Sequence, residues 1–114
     1  MHELSLVTGL LDIVDSYEKM HRFKRVNTLK LAYGRLSCID SGALQFAFDL
    51  QSRGTIAEGA ALQLDIRPIV IYCATCGLKM TVDEYPSPCP HCRGEDVEIK
   101  GGGESLQLVE MEVD

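Results

Sequence analysis

The sequence predicts an α+β fold in which a small three-stranded sheet carries two helices on one face and a cysteine-rich lobe is inserted before the last strand. Two segments have apolar residues at helical spacing, and three shorter segments have the alternating or mainly apolar character of strands. Two pairs of cysteines lie between the second and third of these strands. The 114 residues are enough for one modest hydrophobic core and a small lobe that a bound metal ion stabilises.

Each predicted helix has a recognisable buried face. The first is predicted from Leu4 to Met20, where apolar side chains recur every three or four residues and charged ones lie opposite. The second is predicted to begin at Asp40 or Ser41, either of which can cap it, and to end near Gly54. One face of this second helix contains Leu44, Ala47, Phe48 and Gln51.

The three predicted strands alternate with the helices in the order helix, strand, helix, strand, insertion, strand. The second strand covers residues 62–67 and the third covers residues 106–113. In the first strand the inward residues alternate with polar ones, and they are Leu29, Leu31 and Tyr33.

The insertion divides the chain into two predicted domains. Residues 1–68 and 104–114 are expected to form an α+β domain, and residues 69–103 a separate lobe. No strand pattern is recognised between Pro68 and the last strand, and residues 100–105 (KGGGES) are interpreted as a flexible hinge.

The composition argues against nucleic-acid and membrane partners. The net charge is −6, whereas binding to the phosphates of a nucleic acid needs clustered Lys and Arg side chains. No apolar run approaches the roughly 20 residues that cross a bilayer, and the N-terminus lacks the basic leader of a signal peptide. We expect the chain to stay in the cytoplasm, where thiols are reduced and paired cysteines serve as metal ligands or redox pairs.

Four of the five cysteines form two CxxC pairs, Cys73-Ala-Thr-Cys76 and Cys89-Pro-His-Cys92, with twelve residues between the pairs. Two such turns supply the four thiolates of a tetrahedral structural zinc site, so the lobe is predicted to be zinc-ribbon-like. A disulfide pair, a redox site and an iron site are the alternatives. Because few apolar residues lie nearby, the lobe is expected to need its metal in order to fold.

Two other thiol or imidazole side chains have less specific interpretations. His91 lies inside the second pair and can compete for the ion when a thiolate is protonated, although simple exposure is the more common situation. Cys38 is unpaired and is expected to be a small buried apolar residue rather than a ligand.

The N-terminal tripeptide Met1-His2-Glu3 offers a second kind of metal site. The Met1 amine, the His2 imidazole and the Glu3 amide nitrogen can each close a chelate ring with the amide nitrogen of His2. Such nitrogens favour square-planar Ni(II) or Cu(II), which can displace amide protons. That amide nitrogen has only two adjacent positions in a square plane, so either a fourth ligand comes from outside the tripeptide or one ring is strained. An ordinary surface histidine is the alternative.

Five segments together resemble the HypA/HybF family of hydrogenase nickel-incorporation accessory proteins: MHELSL, GRLSCIDSGALQFAFDL, GTIAEGA, the two CxxC pairs and LQLVEMEV. The resemblance covers essentially the whole chain. It implies a metallochaperone that transports Ni(II) and keeps Zn(II) as a structural ion. The nickel ligands implied are Met1, His2 and Glu3, and the zinc ligands are Cys73, Cys76, Cys89 and Cys92.

The resemblance also implies partners. A nickel-handling GTPase of the hydrogenase maturation pathway would cooperate in delivery to the [NiFe]-hydrogenase large-subunit precursor, and urease accessory proteins are further expected partners. Two features depart from the family pattern. His91 is the lobe's one histidine, whereas some relatives place one near the hinge, and Arg93 stands where relatives commonly have glycine. The fourth nickel ligand therefore stays open among the Met1 amine, the Glu3 carboxylate, water and a partner residue.

The function predicted from the sequence is that of a carrier rather than an enzyme. The chain has no nucleophile–base constellation and no GxxxxGKS/T phosphate loop, so GTP hydrolysis would belong to the partner. The alternative from another class is a zinc-ribbon adaptor that binds protein or nucleic acid without nickel. A weaker option is an iron-containing electron carrier built on the four thiolates.

Overall fold

Residues 2–84 and 88–114 are described by a computed structural model of the chain, with the side chain of His2 excepted. They form two helices, α1 (His2–His21) and α2 (Ser41–Gln51), and a short 3-10 helix at Arg35–Ser37. The strands, in chain order, are β1 (Val26–Gly34), β2 (Ala61–Arg67), β3 (Ile69–Cys73), β4 (Lys79–Val82), β5 (Val97–Gly101) and β6 (Gln107–Val113). Two three-stranded sheets result, in the orders β2-β1-β6 and β4-β3-β5.

Both helices form where the apolar period predicts them. In α1 the buried stripe is Val7, Leu10 and Val14, three or four residues apart, so one side of the helix enters the core. The side chain of Asp40 caps α2 by accepting hydrogen bonds from the backbone N–H groups of Gly42 and Ala43 at 2.9 and 3.1 Å. The prediction that Asp40 or Ser41 begins this helix is confirmed.

Side chains of both helices join them to each other. The Gln51 amide donates a hydrogen bond to the backbone oxygen of Leu4 at 2.9 Å, and the Thr8 hydroxyl lies 2.8 Å from Gln51 Oε1. The buried face of α2 is Leu44, Ala47 and Phe48, as its sequence spacing predicts. Together with the central strand β1, these residues make the core of an α+β fold, and the predicted fold class is confirmed.

The β4-β3-β5 sheet was not expected from the sequence. Its central strand β3 pairs antiparallel with both neighbours, and Ile69 and Ile71 are buried in it. The run Ile69–Tyr72 is continuously apolar instead of alternating, so periodicity cannot distinguish it from a connecting segment. The cysteine lobe therefore has a small apolar core in addition to its cysteines.

The glycine-rich segment is also held more firmly than a flexible hinge would be. The backbone N–H of Leu36 donates to the oxygen of Gly102, and that of Gly34 donates to the oxygen of Glu104, both at 2.8 Å. A Cβ on Gly34 would collide with the backbone of Gly102, and a Cβ on Gly102 would lie 2.7 Å from the Cα of Ile69. These glycines permit a close backbone approach, so their composition does not indicate flexibility here.

The chain divides into two compact units. The first contains the residues up to Leu31 together with Ile39–Asp65 and Leu106–Asp114, and the second contains Ala32–Cys38 and Ile66–Ser105. The assignment of nickel binding to residues 1–68 and 104–114, and of zinc binding to residues 69–103, stays a prediction. Within the described ranges, neither helix is long and apolar enough to cross a membrane.

Candidate metal centres

The first cysteine pair is held by the end of β3 and the turn after it. The backbone oxygen of Cys73 accepts a hydrogen bond from the N–H of Gly77 at 2.8 Å, and the N–H of Cys73 donates to the oxygen of Leu78 at 3.0 Å. Gly77 has a φ of 72°, in the left-handed region that favours glycine. The turn thereby brings Cys76 back towards Cys73.

The second cysteine pair repeats this geometry without a preceding strand. Arg93 donates its backbone N–H to the oxygen of Cys89 at 2.8 Å, and Cys89 donates its own N–H to the oxygen of Gly94 at 2.9 Å. Arg93 also has a positive φ, 62°. It therefore occupies in the second turn the position that Gly77 occupies in the first, although its side chain makes that conformation more costly.

The two turns meet at Thr75 and Gly94. A Cβ on Gly94 would lie 2.9 Å from Thr75 Oγ1 and 3.2 Å from Cys92 Sγ, so only glycine fits without displacement. The backbone N–H of Gly94 also donates to Cys92 Sγ at 3.3 Å. The close approach of Thr75 to Gly94 thus brings the two cysteine turns together.

The four sulfurs converge on one point. The Sγ atoms of Cys73, Cys76, Cys89 and Cys92 all lie within 4.8 Å of one another, and those of Cys73 and Cys92 are 3.5 Å apart. Four sulfurs at about 2.3 Å from a tetrahedral ion are about 3.8 Å apart, so these sulfurs are near enough to one another to bind a single ion. All five cysteines are free thiols, and none forms the disulfide that was one alternative.

The thiols of this cluster have unequal affinities for protons. A hydrogen bond from the backbone N–H of Cys76, aided by the thiols of Cys92 and Cys76, lowers the pKa of Cys73 to about 6. The N–H of Gly94 acts in the same direction on Cys92, but the neighbouring Cys73 and burial outweigh it and raise the pKa of Cys92 to about 12. A hydrogen bond from the backbone N–H of Cys92 lowers the pKa of Cys89 as well. Negative charge is thus favoured on Cys73 and Cys89 over the other two cysteines, because four adjacent thiolates repel one another. A bound cation removes this repulsion and deprotonates its thiol ligands.

The other thiol and imidazole are both exposed. His91 lies between the last two cysteines with its side chain in solvent, and the four-sulfur cluster does not include it. Cys38 follows the 3-10 helix in the left-handed conformation, with a φ of 58°, and is exposed. The expectation that Cys38 is a buried apolar residue was therefore wrong, because the turn that ends this segment points the residue away from the core.

The predicted nickel ligands lie at the start of α1. Met1 is outside the described residues, and of His2 the structure describes only the backbone, as the first residue of the helix. The Glu3 side chain is 8% exposed, and its Oε2 accepts a hydrogen bond from the backbone N–H of Asp40 at 3.4 Å. The carboxylate of Glu3 thus faces the residue that caps α2. Sequence reasoning missed this contact because the two residues are far apart in the chain.

The position of His2 at the helix start has a chemical consequence. The first four backbone N–H groups of an α-helix have no partner within the helix. The amide nitrogens of His2 and Glu3 therefore do not have to break a helical hydrogen bond before they lose a proton. The start of α1 can supply backbone nitrogen ligands without unwinding the helix behind it.

Comparisons with known proteins identify the family of the chain. A family model described as HypA, a metallochaperone for hydrogenase and urease nickel incorporation, matches residues 1–113. The chain is 48% identical to the hydrogenase maturation factor HypA of Syntrophus aciditrophicus and 34% identical to HybF of Salmonella typhimurium, and each alignment covers all of both chains.

Solved structures agree in fold. The solution structure of the Ni metallochaperone HypA from Helicobacter pylori superposes with a TM-score of 0.63 at 19% identity, over 97% of this chain and 96% of that one. A second solution structure of a HypA protein has the same TM-score at 22% identity, over 99% of this chain and 96% of that one. The chain therefore belongs to the HypA family of metallochaperones for hydrogenase and urease nickel incorporation.

Proposed function

We propose that this chain carries Ni(II) on Met1, His2 and Glu3 and delivers it, with a partner GTPase, to the [NiFe]-hydrogenase large-subunit precursor. Family membership over residues 1–113 supports a role in nickel incorporation. The observation that carries the proposed site is that α1 begins at His2, so His2 and Glu3 lie in its first turn, whose backbone N–H groups the helix does not use for its own hydrogen bonds. Urease accessory proteins are further proposed partners, and the reducing cytoplasm is the proposed compartment.

The helix start suits nickel ligands that must lose protons. The N-terminal end of a helix carries a partial positive charge, which favours an anionic amide nitrogen over a neutral one. The same charge opposes a free cation, so the ion binds well only when amide deprotonation compensates for it. Nickel affinity should therefore fall as the pH drops, since protons compete for the same nitrogens. Reprotonation of those amides by a docked partner would release the ion.

The four cysteines are proposed to hold a permanent Zn(II). Their sulfurs match a closed tetrahedral site and leave no position for a substrate, which is the pattern of structural zinc. Zinc would neutralise the negative charge of the thiolates and hold together the turns that meet at Thr75 and Gly94. In this proposal zinc stabilises the second unit, and nickel is the cargo.

The experiment that tests the nickel site is a Ni(II) titration of untagged, zinc-loaded protein and of His2→Ala. The matched control is His21→Ala, which removes an exposed histidine from the other end of the same helix. We expect His2→Ala to lose tight nickel binding and His21→Ala to retain it. Extension of the N-terminus by one glycine should weaken binding if the Met1 amine is a ligand, whereas a C-terminal extension should not.

The titration also discriminates against a zinc-ribbon adaptor that uses no nickel. Equal nickel uptake by the wild type, His2→Ala and His21→Ala would remove the proposed site. Metal analysis of the purified protein should find one zinc per chain and no iron. The delivery step is tested separately, by transfer of nickel from loaded protein to the large-subunit precursor with and without the GTPase and GTP. Transfer that is independent of the GTPase would contradict that part of the proposal.

A further inference from the structure

A groove lies within the first unit, between α1 and β6. One cavity of about 220 Å³ is lined by residues of α1 and by Leu106 and Leu108, and a second of about 210 Å³ is lined by Tyr17 and by residues of β6, including Leu108. Leu108 lines both, so the two cavities are adjacent, and together they are called the groove. Its walls carry apolar side chains that are unusually exposed, with Ile13 at 46%, Tyr17 at 44% and Val109 at 51%.

The strand beside this groove has a free edge. In the sheet order β2-β1-β6, β6 is terminal, and within residues 2–84 and 88–114 no strand pairs with its outer side. The exposed N–H and C=O groups of an edge strand are a template for an added strand. Partner proteins use such edges through main-chain hydrogen bonds, with alternate side chains entering pockets. The groove is lined by residues of this same edge strand, so it can supply such a pocket.

Gly9 forms part of the groove and is unexplained by the packing of α1 itself. Glycine is a poor helix former, and Gly9 lies in the middle of a helix of 20 residues. A Cβ on Gly9 would meet nothing within 4 Å, so no neighbour in the described chain requires a glycine there. Its effect is to leave the groove open between Leu6 and Ile13, where a side chain from outside could enter.

The charge of β6 indicates which kind of strand would dock. The sequence of β6 and the residue after it contains Glu110, Glu112 and Asp114 and no basic residue, and Glu110 lines the groove. Two copies of β6 side by side would bring these carboxylates near one another, and like charges on adjacent strands are destabilising. A strand with lysine or arginine between apolar residues would instead pair with them. Charge thus favours a different protein over a second copy.

We propose that a partner protein adds an extended, basic segment to the free edge of β6 and inserts an apolar side chain over Gly9. The inserted side chain would be covered by Ile13 and Tyr17, and basic side chains of the added strand would reach Glu110 and Glu112. Of the proposed nickel ligands, the structure describes the side chain of Glu3, and Glu3 does not line the groove.

The test uses a capped octapeptide of alternating lysine and valine as the probe, added to ¹⁵N-labelled, zinc-loaded protein. We expect the amide resonances of Gln107–Val113, Gly9 and Ile13 to shift, and the shifts to weaken as salt is added. The same peptide with its two central valines replaced by proline keeps its charge but cannot form a strand, so it should bind about tenfold more weakly. A glutamate–valine peptide of the same pattern should not bind.

Two pairs of variants separate docking from folding. Gly9→Leu fills the groove and should weaken the binding of the lysine–valine peptide at least about tenfold. Gly9→Ala should raise the thermal stability of the protein and weaken the binding of the peptide less. The double variant Glu110→Lys with Glu112→Lys should no longer bind the basic peptide and should bind the glutamate–valine peptide instead. Its matched control is Asp83→Lys with Glu84→Lys, which makes the same charge change in the second unit and should leave the binding of both peptides unchanged.

Three results would overturn the proposal. One is the absence of shifts in β6 at millimolar peptide, and another is equal binding of the proline peptide, which would show attraction by charge alone. The third is concentration-dependent self-association through β6, which would make a second copy the occupant. Nickel titration of Gly9→Leu should match the wild type, so that failure of the docking surface and failure of the nickel site can be distinguished.

Discussion

Arg93 is, with Arg22 and Cys38, one of the described non-glycine residues that have a positive φ. The two cysteine turns have the same hydrogen bonds, yet the left-handed position is glycine in the first turn and arginine in the second. A Cβ on Gly77 would meet nothing within 4 Å, so the difference between the turns at this position is conformational rather than steric. An L-residue with a side chain holds this conformation at a cost in free energy.

Arg93→Gly should therefore stabilise the zinc-loaded protein against unfolding by about 0.5 to 1 kcal/mol, since part of the gain is lost to the more flexible unfolded chain. Gly77→Arg should destabilise it by a similar amount. Guanidinium denaturation of both variants, with zinc present, measures the two free energies of unfolding. A loss of stability in Arg93→Gly would mean that the arginine side chain makes a contact worth more than the backbone strain.

Gly94 is subject to a different restriction, because its neighbours leave no room for a side chain. In Gly94→Ala the new Cβ would lie 2.9 Å from Thr75 Oγ1 and 3.2 Å from Cys92 Sγ. Overpacking of this kind costs about 1 to 3 kcal/mol, so zinc affinity measured by chelator competition should fall at least about fivefold. Gly103→Ala is the control, since a Cβ there meets nothing within 4 Å. Thr75→Gly should restore affinity in the Gly94→Ala background if this contact is the cause.

At the scale of elements, sequence reasoning succeeded where one local signal determined the structure. The helical period and the capping carboxylate of Asp40 predicted α1 and α2, and the CxxC spacing predicted the four-sulfur cluster. It failed where a distant segment decided the outcome. The strand β3 needs β4 and β5 to be recognised. The backbone of Gly102 and Glu104 is held by hydrogen bonds from Leu36 and Gly34, far away in the chain. The burial of Glu3 against Asp40 is a third such case.

The number of protons that the cysteine turns release when zinc binds should depend on pH. Near neutral pH the metal-free Cys73, with its pKa of about 6, is already a thiolate, whereas Cys92, with a pKa of about 12, is still protonated. Zinc binding should therefore release fewer than four protons near neutral pH, and one more below about pH 6, where Cys73 is protonated. Zinc affinity should accordingly weaken as the pH falls through this range. Calorimetry in buffers of different ionisation enthalpy measures the protons, and release of all four near neutral pH would show that Cys73 is not ionised.

At the scale of the whole molecule, the two compact units imply that zinc stabilises only part of the chain. Every sulfur of the cluster belongs to the second unit, whereas both helices lie in the first. The second unit also has an apolar core of its own at Ile69 and Ile71, which the sequence did not reveal. Loss of zinc should therefore loosen the cysteine turns without unfolding α1 and α2.

Hydrogen exchange before and after removal of zinc by a chelator tests this independence. We expect the amides of Gly77, Arg93 and Gly94, in the cysteine turns, to exchange faster by orders of magnitude once the ion no longer joins the turns. The amides of α1 and α2 should keep their protection, because their hydrogen bonds and buried side chains involve no zinc ligand. Those of β3 should lose part of theirs, since the strand ends at Cys73 but is also buried at Ile69 and Ile71. If the helices lost protection at the same rate as the cysteine turns, the two units would have to unfold as one cooperative body.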